Sequence, residues 1–320
     1  MAHPIGIHEK ALPGGLSWKS TFELVRESGY DYYELSIDAS DQCIARLQWS
    51  AAERRRVLQA ASSRSVQIMT VALSAHRRFP WGSSDPETRS RADWLAKDAI
   101  ELAYDLEASC VQIAGYFTRS EPAHKNARNY FLDGLARSLP LAEKRGVVLA
   151  LENVDDSDIT TVDEGLEVLG AVESESLKLY VDVGNLAGSE HDVTAQLKSA
   201  LPVAFGVQLK DARPGEFRRV PYGEGTVPFS DVFREISKQS PDMPLSIEMW
   251  NDAGDSSMAS DAYQWLLSQW SKSVHAELEQ PERREPRFEA AQFIAGREGP
   301  AFARRDHLPV RRRNQGPQSP

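Results

Sequence analysis

Eight short runs rich in β-branched and aromatic residues recur along this chain, each followed by a stretch whose apolar residues keep helical spacing. They are PIGIHEK (4–10), DYYELSID (31–38), VQIMTVALS (66–74), CVQIAG (110–115), VVLALEN (147–153), LKLYVDVG (177–184), AFGVQLKD (204–211) and PLSIEMW (244–250). Parallel strands need long crossovers, so this alternation is the mark of a parallel sheet wound with helices. Eight is the number that closes a barrel. The competing open, doubly wound sheet usually carries a glycine-rich first turn for a nucleotide. Here the first run leads into EKALPGGLSW, which has no G-x-G-x-x-G. The sequence therefore predicts an α/β fold of the (β/α)8 TIM-barrel kind.

Apolar spacing predicts helices over 18–28, 50–64, 89–107, 124–145, 161–171, 192–200, 229–239 and 256–278. Ser17, Ser50 and Thr161 stand where a side-chain oxygen would cap a first turn, and Gly29 and Gly146 where a left-handed residue would end a helix. Of the 320 residues, 1–280 are assigned to one barrel domain. Residues 281–320 hold six of the 18 prolines and little apolar bulk, so they are expected to be a disordered Arg/Pro-rich tail.

The charge is divided in the same way. Residues 1–280 carry 28 Lys and Arg against 42 Asp and Glu, whereas the tail carries nine Arg against five acids. An acidic body repels polyphosphate, so no nucleic-acid partner is expected. No apolar run approaches the roughly 20 residues of a membrane helix, and MAHPIGIHEK lacks the layout of a signal peptide. Cys43 and Cys110 are too few for a disulfide scaffold and read as reduced core thiols. The expected setting is the cytoplasm, without a membrane.

In a barrel of this type the working groups stand at the C-terminal ends of the strands. The last four runs end in Glu152, Asp182, Gln208 and Glu248, three carboxylates and an amide oxygen facing one volume. Such crowded carboxylates need a cation or protons between them. An oxygen-rich site suits Mg2+ or Mn2+, and one this acidic also admits Co2+ or Zn2+. The alternative is an ion-pair network in which Lys210, Arg218 and Arg219 neutralise the acids.

The stretches GIHEKALPGG, YYELSIDASDQCIARLQWS, LSAHRRFPWGS, QIAGY, YVDVGNLAG, LKDARPGEFRRVPYGEGTVPF and IEMWND resemble the L-ribulose-5-phosphate (L-xylulose-5-phosphate) 3-epimerases of the xylose-isomerase-like sugar-phosphate isomerase/epimerase family. The likeness spans about residues 4–270. It implies a xylose-isomerase-like barrel holding one divalent ion on Glu152, Asp182, Gln208 and Glu248. It also implies a C3 epimerase of a ketopentose 5-phosphate, and pairing into a homodimer. Close relatives usually carry His in the V-x-V-K-D motif where this chain reads VQLKD; hydroxypyruvate isomerases and inosose dehydratases of the superfamily use Gln there.

Inverting a carbon beside a ketone needs one group to remove a proton and another to return one to the opposite face. Glu152 and Glu248 are the catalytic candidates, acting through a metal-bound enediolate, with Asp182 as a fixed ligand. Asn153, Asn185 and Asp211 are candidates for orienting the ligands. For the sugar phosphate, Lys10, His76, Lys210, Arg218 and Arg219 are donor candidates, with one of Arg77 and Arg78 facing solvent. Glu34 is read either as a partner of Lys10 or as an acceptor from a sugar hydroxyl. Asn185 is a further substrate candidate, and Trp250, with Trp81 as second choice, a wall of the pocket. Gln208 keeps two other readings open: a ketose or hydroxypyruvate-type isomerase or inosose dehydratase on the same metal site, and a non-catalytic sugar-phosphate-binding barrel. An abasic-site nuclease would need a His-rich metal cluster and a basic face, which seven scattered His and an acidic body do not provide.

Overall fold

The computed structural model describes residues 3–278 except 120, 123, 156 and 241. The strands are β1 (Ile5–His8), β2 (Tyr32–Ile37), β3 (Gln67–Leu73), β4 (Cys110–Ala114), β5 (Val148–Glu152), β6 (Leu177–Asp182), β7 (Ala204–Leu209) and β8 (Leu245–Ile247). They pair in parallel in chain order, and β8 returns to β1, so the sheet closes. Every predicted run forms a strand, each shorter than the run that announced it.

The crossovers hold α1 (Trp18–Glu27), α2 (Asp41–Ala45), α3 (Ala51–Ser62), α4 (Pro86–Asp105), α5 (Ala127–Arg145), α6 (Val162–Val172), α7 (Val183–Gly188), α8 (Val193–Ala200) and α9 (Phe229–Gln239); α10 (Ser257–Leu278) follows β8. Ser17 accepts from the first turn of α1, while Ser50 with Glu53 and Thr161 with Glu164 form reciprocal capping boxes on α3 and α6. Such caps are each worth about 1 kcal/mol. Gly146, at φ 65°, ends α5 in the left-handed conformation. Two helices were not foreseen. α2 has five residues, too few to show a period, and α7 takes the last six residues of VDVGNLAG, a stretch whose start reads as strand.

Outward-facing strand residues such as Tyr33, Leu35, Val71, Leu151 and Val207 join Phe22, Leu95, Phe131 and Val232 of the helices in one buried apolar layer. The barrel's inner face is different. There Tyr32, Glu34, Thr70, Gln112, Tyr180 and Ser246 are buried polar residues. Both cysteines are free thiols, Cys110 buried and Cys43 only half-buried, so the core assignment fits the first better than the second. The predicted tail at 281–320 lies outside the described residues.

Candidate active site

Glu152 is the last residue of β5 and Asp182 the last of β6, and Glu248 directly follows β8. One carboxylate oxygen from each lies within 4.8 Å of the other two, and all three side chains are buried. Three like charges this close in low dielectric repel strongly. Lys210, one residue beyond β7, answers them. Its Nζ lies 2.6 Å from Asp182 Oδ2 and 3.2 Å from Glu248 Oε2, and donates to Asn185 Oδ1 at 2.8 Å.

The three acids take unequal shares of this compensation. Burial, followed by the charges of Glu248 and Asp182, pushes the Glu152 carboxyl up to about 8. Asp182 rises to about 6 by burial, with Lys210 opposing. Burial works on Glu248 as well, but the ammonium groups of Lys210 and Lys10 outweigh it and hold this carboxyl well below the usual range. Burial and the neighbouring carboxylates thus favour the protonated form of Glu152, and the lysine ammonium groups favour the charged form of Glu248.

The loops make the acids rigid. Asp182 is both the end of β6 and the N-cap of α7, its Oδ1 accepting from Asn185 N at 2.9 Å. Asn153 donates Nδ2 to Asp182 O at 2.9 Å and accepts from Asp182 N at 2.8 Å, while Asn185 donates to Asn153 O at 2.9 Å. Asp211 shapes the loop after β7, its Oδ2 accepting from Gly223 N at 2.9 Å and Gly225 N at 3.0 Å. A Cβ on Gly225 would lie 1.9 Å from Asp211 Oδ1. This glycine of VPYGEG thus admits the chain's own aspartate.

The sequence-predicted residues divide into those at the cavity and those elsewhere. Lys10 reaches it, with Nζ 3.8 Å from Glu248 Oε1, and Trp250 walls it, with Lys10 and Lys210 Nζ each 5.6 Å from the ring centroid and the Arg218 guanidinium 5.9 Å away. Arg218 is drawn to the buried Asp155, at 2.5 Å. Asn185 stands among the acids, but its side chain is committed to Lys210 and Asn153. Gln208 lies beside Asp182 in the β6–β7 ladder, and its Oε1 accepts from Gln112 Nε2 at 3.2 Å.

Three candidates stand away from the cavity. His76 is turned into the core, its Nε2 3.1 Å from Ala92 O and its ring 4.2 Å from that of Trp81; the Trp81 indole, itself fully buried, donates to Asp93 at 2.9 Å. The loop after β3 is a helical turn, which points His76 inward where an extended chain would have projected it into the mouth. Glu34 is fully buried inside the barrel, neither paired with Lys10 nor facing the cavity; it accepts a short hydrogen bond from Tyr180 OH. Arg219 is exposed, paired with Asp252 at 2.5 Å, and lines a mostly apolar groove of about 560 Å³ beyond Trp250.

Sequence reasoning passed over His8 and Gln112 as site residues and left Arg77 undecided. All three line the cavity with Lys10, Glu152 and Glu248. His8 accepts from Lys10 N at 3.1 Å, and burial lowers its pKa to about 3, so it is neutral. With the first run read to residue 10, His8 falls inside the strand; in the structure β1 ends at His8, and the next residue, Glu9, makes a two-pronged ion pair with Arg46 at 2.6 and 2.7 Å. Arg77 lies over the Tyr116 ring at 5.4 Å, whereas Arg78 is exposed and pairs with Asp41 at 2.6 Å.

Comparison with known proteins bears on this geometry. The model of the xylose isomerase-like TIM barrel matches residues 22–269. L-ribulose-5-phosphate 3-epimerase UlaE of Salmonella typhi is 34% identical over 272 residues, covering 84% of this chain and 96% of that protein; its counterpart in Shigella boydii serotype 18 is 33% identical over the same shares. Among solved structures, an L-ribulose 3-epimerase superposes with a TM-score of 0.72 at 20% identity, covering 88% of this chain and 100% of that one. That likeness speaks to the fold. The family match and the curated relatives go further: this chain belongs to the xylose isomerase-like TIM-barrel family, as a relative of its L-ribulose-5-phosphate 3-epimerases.

Proposed function

We propose that the protein is a divalent-metal-dependent 3-epimerase of a ketopentose 5-phosphate, interconverting L-xylulose 5-phosphate and L-ribulose 5-phosphate. The observation that carries this reading is the trio Glu152, Asp182 and Glu248, buried with oxygens within 4.8 Å and unequal in proton affinity. A cation belongs at such a place, and the Lys210 ammonium stands in for one there. The donor set fits a hard or borderline divalent ion, held by the three carboxylates with Gln208 as the fourth, amide ligand. Such an ion, Mn2+, Mg2+, Co2+ or Zn2+, supplies Lewis acidity that makes the proton beside the substrate ketone easier to remove.

The chain's own groups then divide the proton transfer. Glu248, charged, takes the proton from C3; Glu152, protonated, returns one to the other face, and the roles exchange in reverse. No net proton is lost, because each turnover leaves one carboxyl protonated and one not. Lys10 keeps Glu248 in its charged form, and the neutral His8 packs below without adding a competing charge. Lys10, Arg77 and Arg218 supply cationic groups for a phosphorylated substrate, with Trp250 as an apolar wall. The free thiols fit a reducing cytoplasm.

Incubation of metal-loaded protein with L-xylulose 5-phosphate in deuterated water tests the reading. Deuterium at C3 of both epimers, abolished by chelation and restored by Mn2+, is the expected result. Deuterium at C1 alone would identify an aldose–ketose isomerase, a reading favoured by Gln208. The absence of exchange in protein shown to hold metal would leave a sugar-phosphate-binding barrel.

A further inference from the structure

We infer that Asp155 is a positioning residue that holds the Arg218 guanidinium at the mouth of the site for the substrate. This rests on the reading of Arg218 as a substrate-binding cation given above. A buried carboxylate is costly unless it is paired. Asp155, in the loop after β5, is 3% exposed, and both of its oxygens are engaged. Oδ1 accepts a short hydrogen bond from the Tyr116 hydroxyl, Oδ2 lies 2.5 Å from Arg218 Nη2, and Arg119 adds a more distant charge at 4.0 Å. Burial works against ionisation, but the Tyr116 hydroxyl and the two guanidinium groups outweigh it and hold the carboxyl below its ordinary value.

Tyr116 makes the anchor firm. It is itself buried, and its ring carries the guanidinium groups of Arg119 at 4.6 Å and Arg77 at 5.4 Å. The next arginine shows the alternative fate. Arg218 and Arg219 are adjacent in the loop after β7, yet Arg219 is exposed and pairs with the exposed Asp252. Arg219 has φ 63°, a left-handed turn, and the two side chains on either side of it go to different acids. Of the two, Arg218 is the one that lies over the Trp250 ring, at 5.9 Å, a ring that Lys10 and Lys210 approach to 5.6 Å. A guanidinium has five N–H donors in a planar fork, so Asp155 can hold one end while another meets an oxygen of the sugar phosphate. Asp155 thereby turns a long, flexible side chain into a fixed donor, which reduces the entropy lost when substrate binds.

The test is a double-mutant cycle on the metal-loaded full chain, read by kcat and KM for L-xylulose 5-phosphate and by the calorimetric Kd for the same compound. Asp155→Asn keeps the shape and an acceptor for Tyr116 but removes the charge; Tyr116→Phe, which removes the hydroxyl and keeps the ring, is the second variant should the first fail to fold. Either is expected to raise KM and Kd about 10-fold with kcat within about twofold, the pattern of a lost binding contact. In the Arg218→Ala background the same change is expected to add less than about twofold. An equal rise in both backgrounds, no rise in the parent, or a fall in kcat at constant KM overturns the inference. If Arg218→Ala leaves KM and Kd unchanged while C3 still exchanges deuterium, Arg218 does not bind substrate, and the inference falls while the epimerase reading stands. If C3 of the substrate exchanges no deuterium with the parent protein, the epimerase reading falls, and the Kd cycle alone decides the inference.

Discussion

Two buried polar regions lie a short step apart in this barrel, and they solve the same electrostatic problem in opposite ways. At the rim, Glu152, Asp182 and Glu248 crowd together, and the charge of two of them is kept by compensation: Lys210 bridges Asp182 and Glu248, and Lys10 pairs with Glu248 as well. In the barrel interior, Glu34 has no cation beside it. Burial pushes its carboxyl up to about 7, only partly opposed by the hydroxyls of Tyr180, Ser246 and Thr70. There charge is suppressed. The rim is therefore a place where a cation can be exchanged for another cation, whereas the interior offers a cation nothing until Glu34 has lost its proton.

The largest expected effect breaks the rim's proton transfer. Glu152→Gln or Glu248→Gln should each lower turnover by about a thousandfold or more, leaving the circular dichroism spectrum unchanged. Turnover within tenfold of the parent in either variant would remove the two-carboxylate mechanism.

Next in size is loss of compensation. Lys210→Met leaves Asp182 and Glu248 buried without their shared ammonium, and should destabilise the metal-free protein by about 3–5 kcal/mol in urea melts. Mn2+ should recover most of that loss, since binding only to the folded state adds about 2.7 kcal/mol at 100 times Kd. Destabilisation that Mn2+ leaves untouched would mean that lysine and ion do not answer the same charges.

The interior makes the complementary prediction. Glu34 titrates near 4.5 when unfolded and near 7 when folded, so between these values the folded state keeps a proton that the unfolded state has released. Its contribution is fully present below about pH 4.5 and is lost as pH rises through about 7. Glu34→Gln removes the ionisation, so the variant should gain on the parent by up to about 3 kcal/mol between pH 4.5 and 7.5. A difference in melting temperature that does not vary with pH would show that Glu34 remains charged.

The smallest effect belongs to the surface. Arg219→Ala, which removes an exposed ion pair with Asp252, should leave both stability and KM unchanged, whereas Arg218→Ala, at the cavity edge, should raise KM. A raised KM in the Arg219 variant would bring the apolar groove beyond Trp250 into the substrate's path.

The barrel was legible in the sequence because strands buried on both faces read as continuous apolar runs, and eight of them admit few other closures. The trio Glu152, Asp182 and Glu248 was legible for the same reason: a carboxylate closing an apolar strand stands out by its cost. Direction was not legible. His76 and Glu34 sit in the right segments, yet a helical turn after β3 sends the first into the core and the β2 alternation sends the second inside the barrel. His8 was hidden because β1 stops two residues sooner than its apolar run.

Taken alone, the order of residues determined which groups stand near the mouth, since strand periodicity and the parallel winding are properties of local pattern. Only the folded chain decided which of those groups meet. Lys210 touches Asp182 and Glu248 from strands 28 and 38 residues away in the chain, and Gln112 touches Gln208 across 96. Proton affinity follows those meetings, because a carboxyl's pKa depends on the burial and the charges around it, and neither is written in its neighbours along the chain.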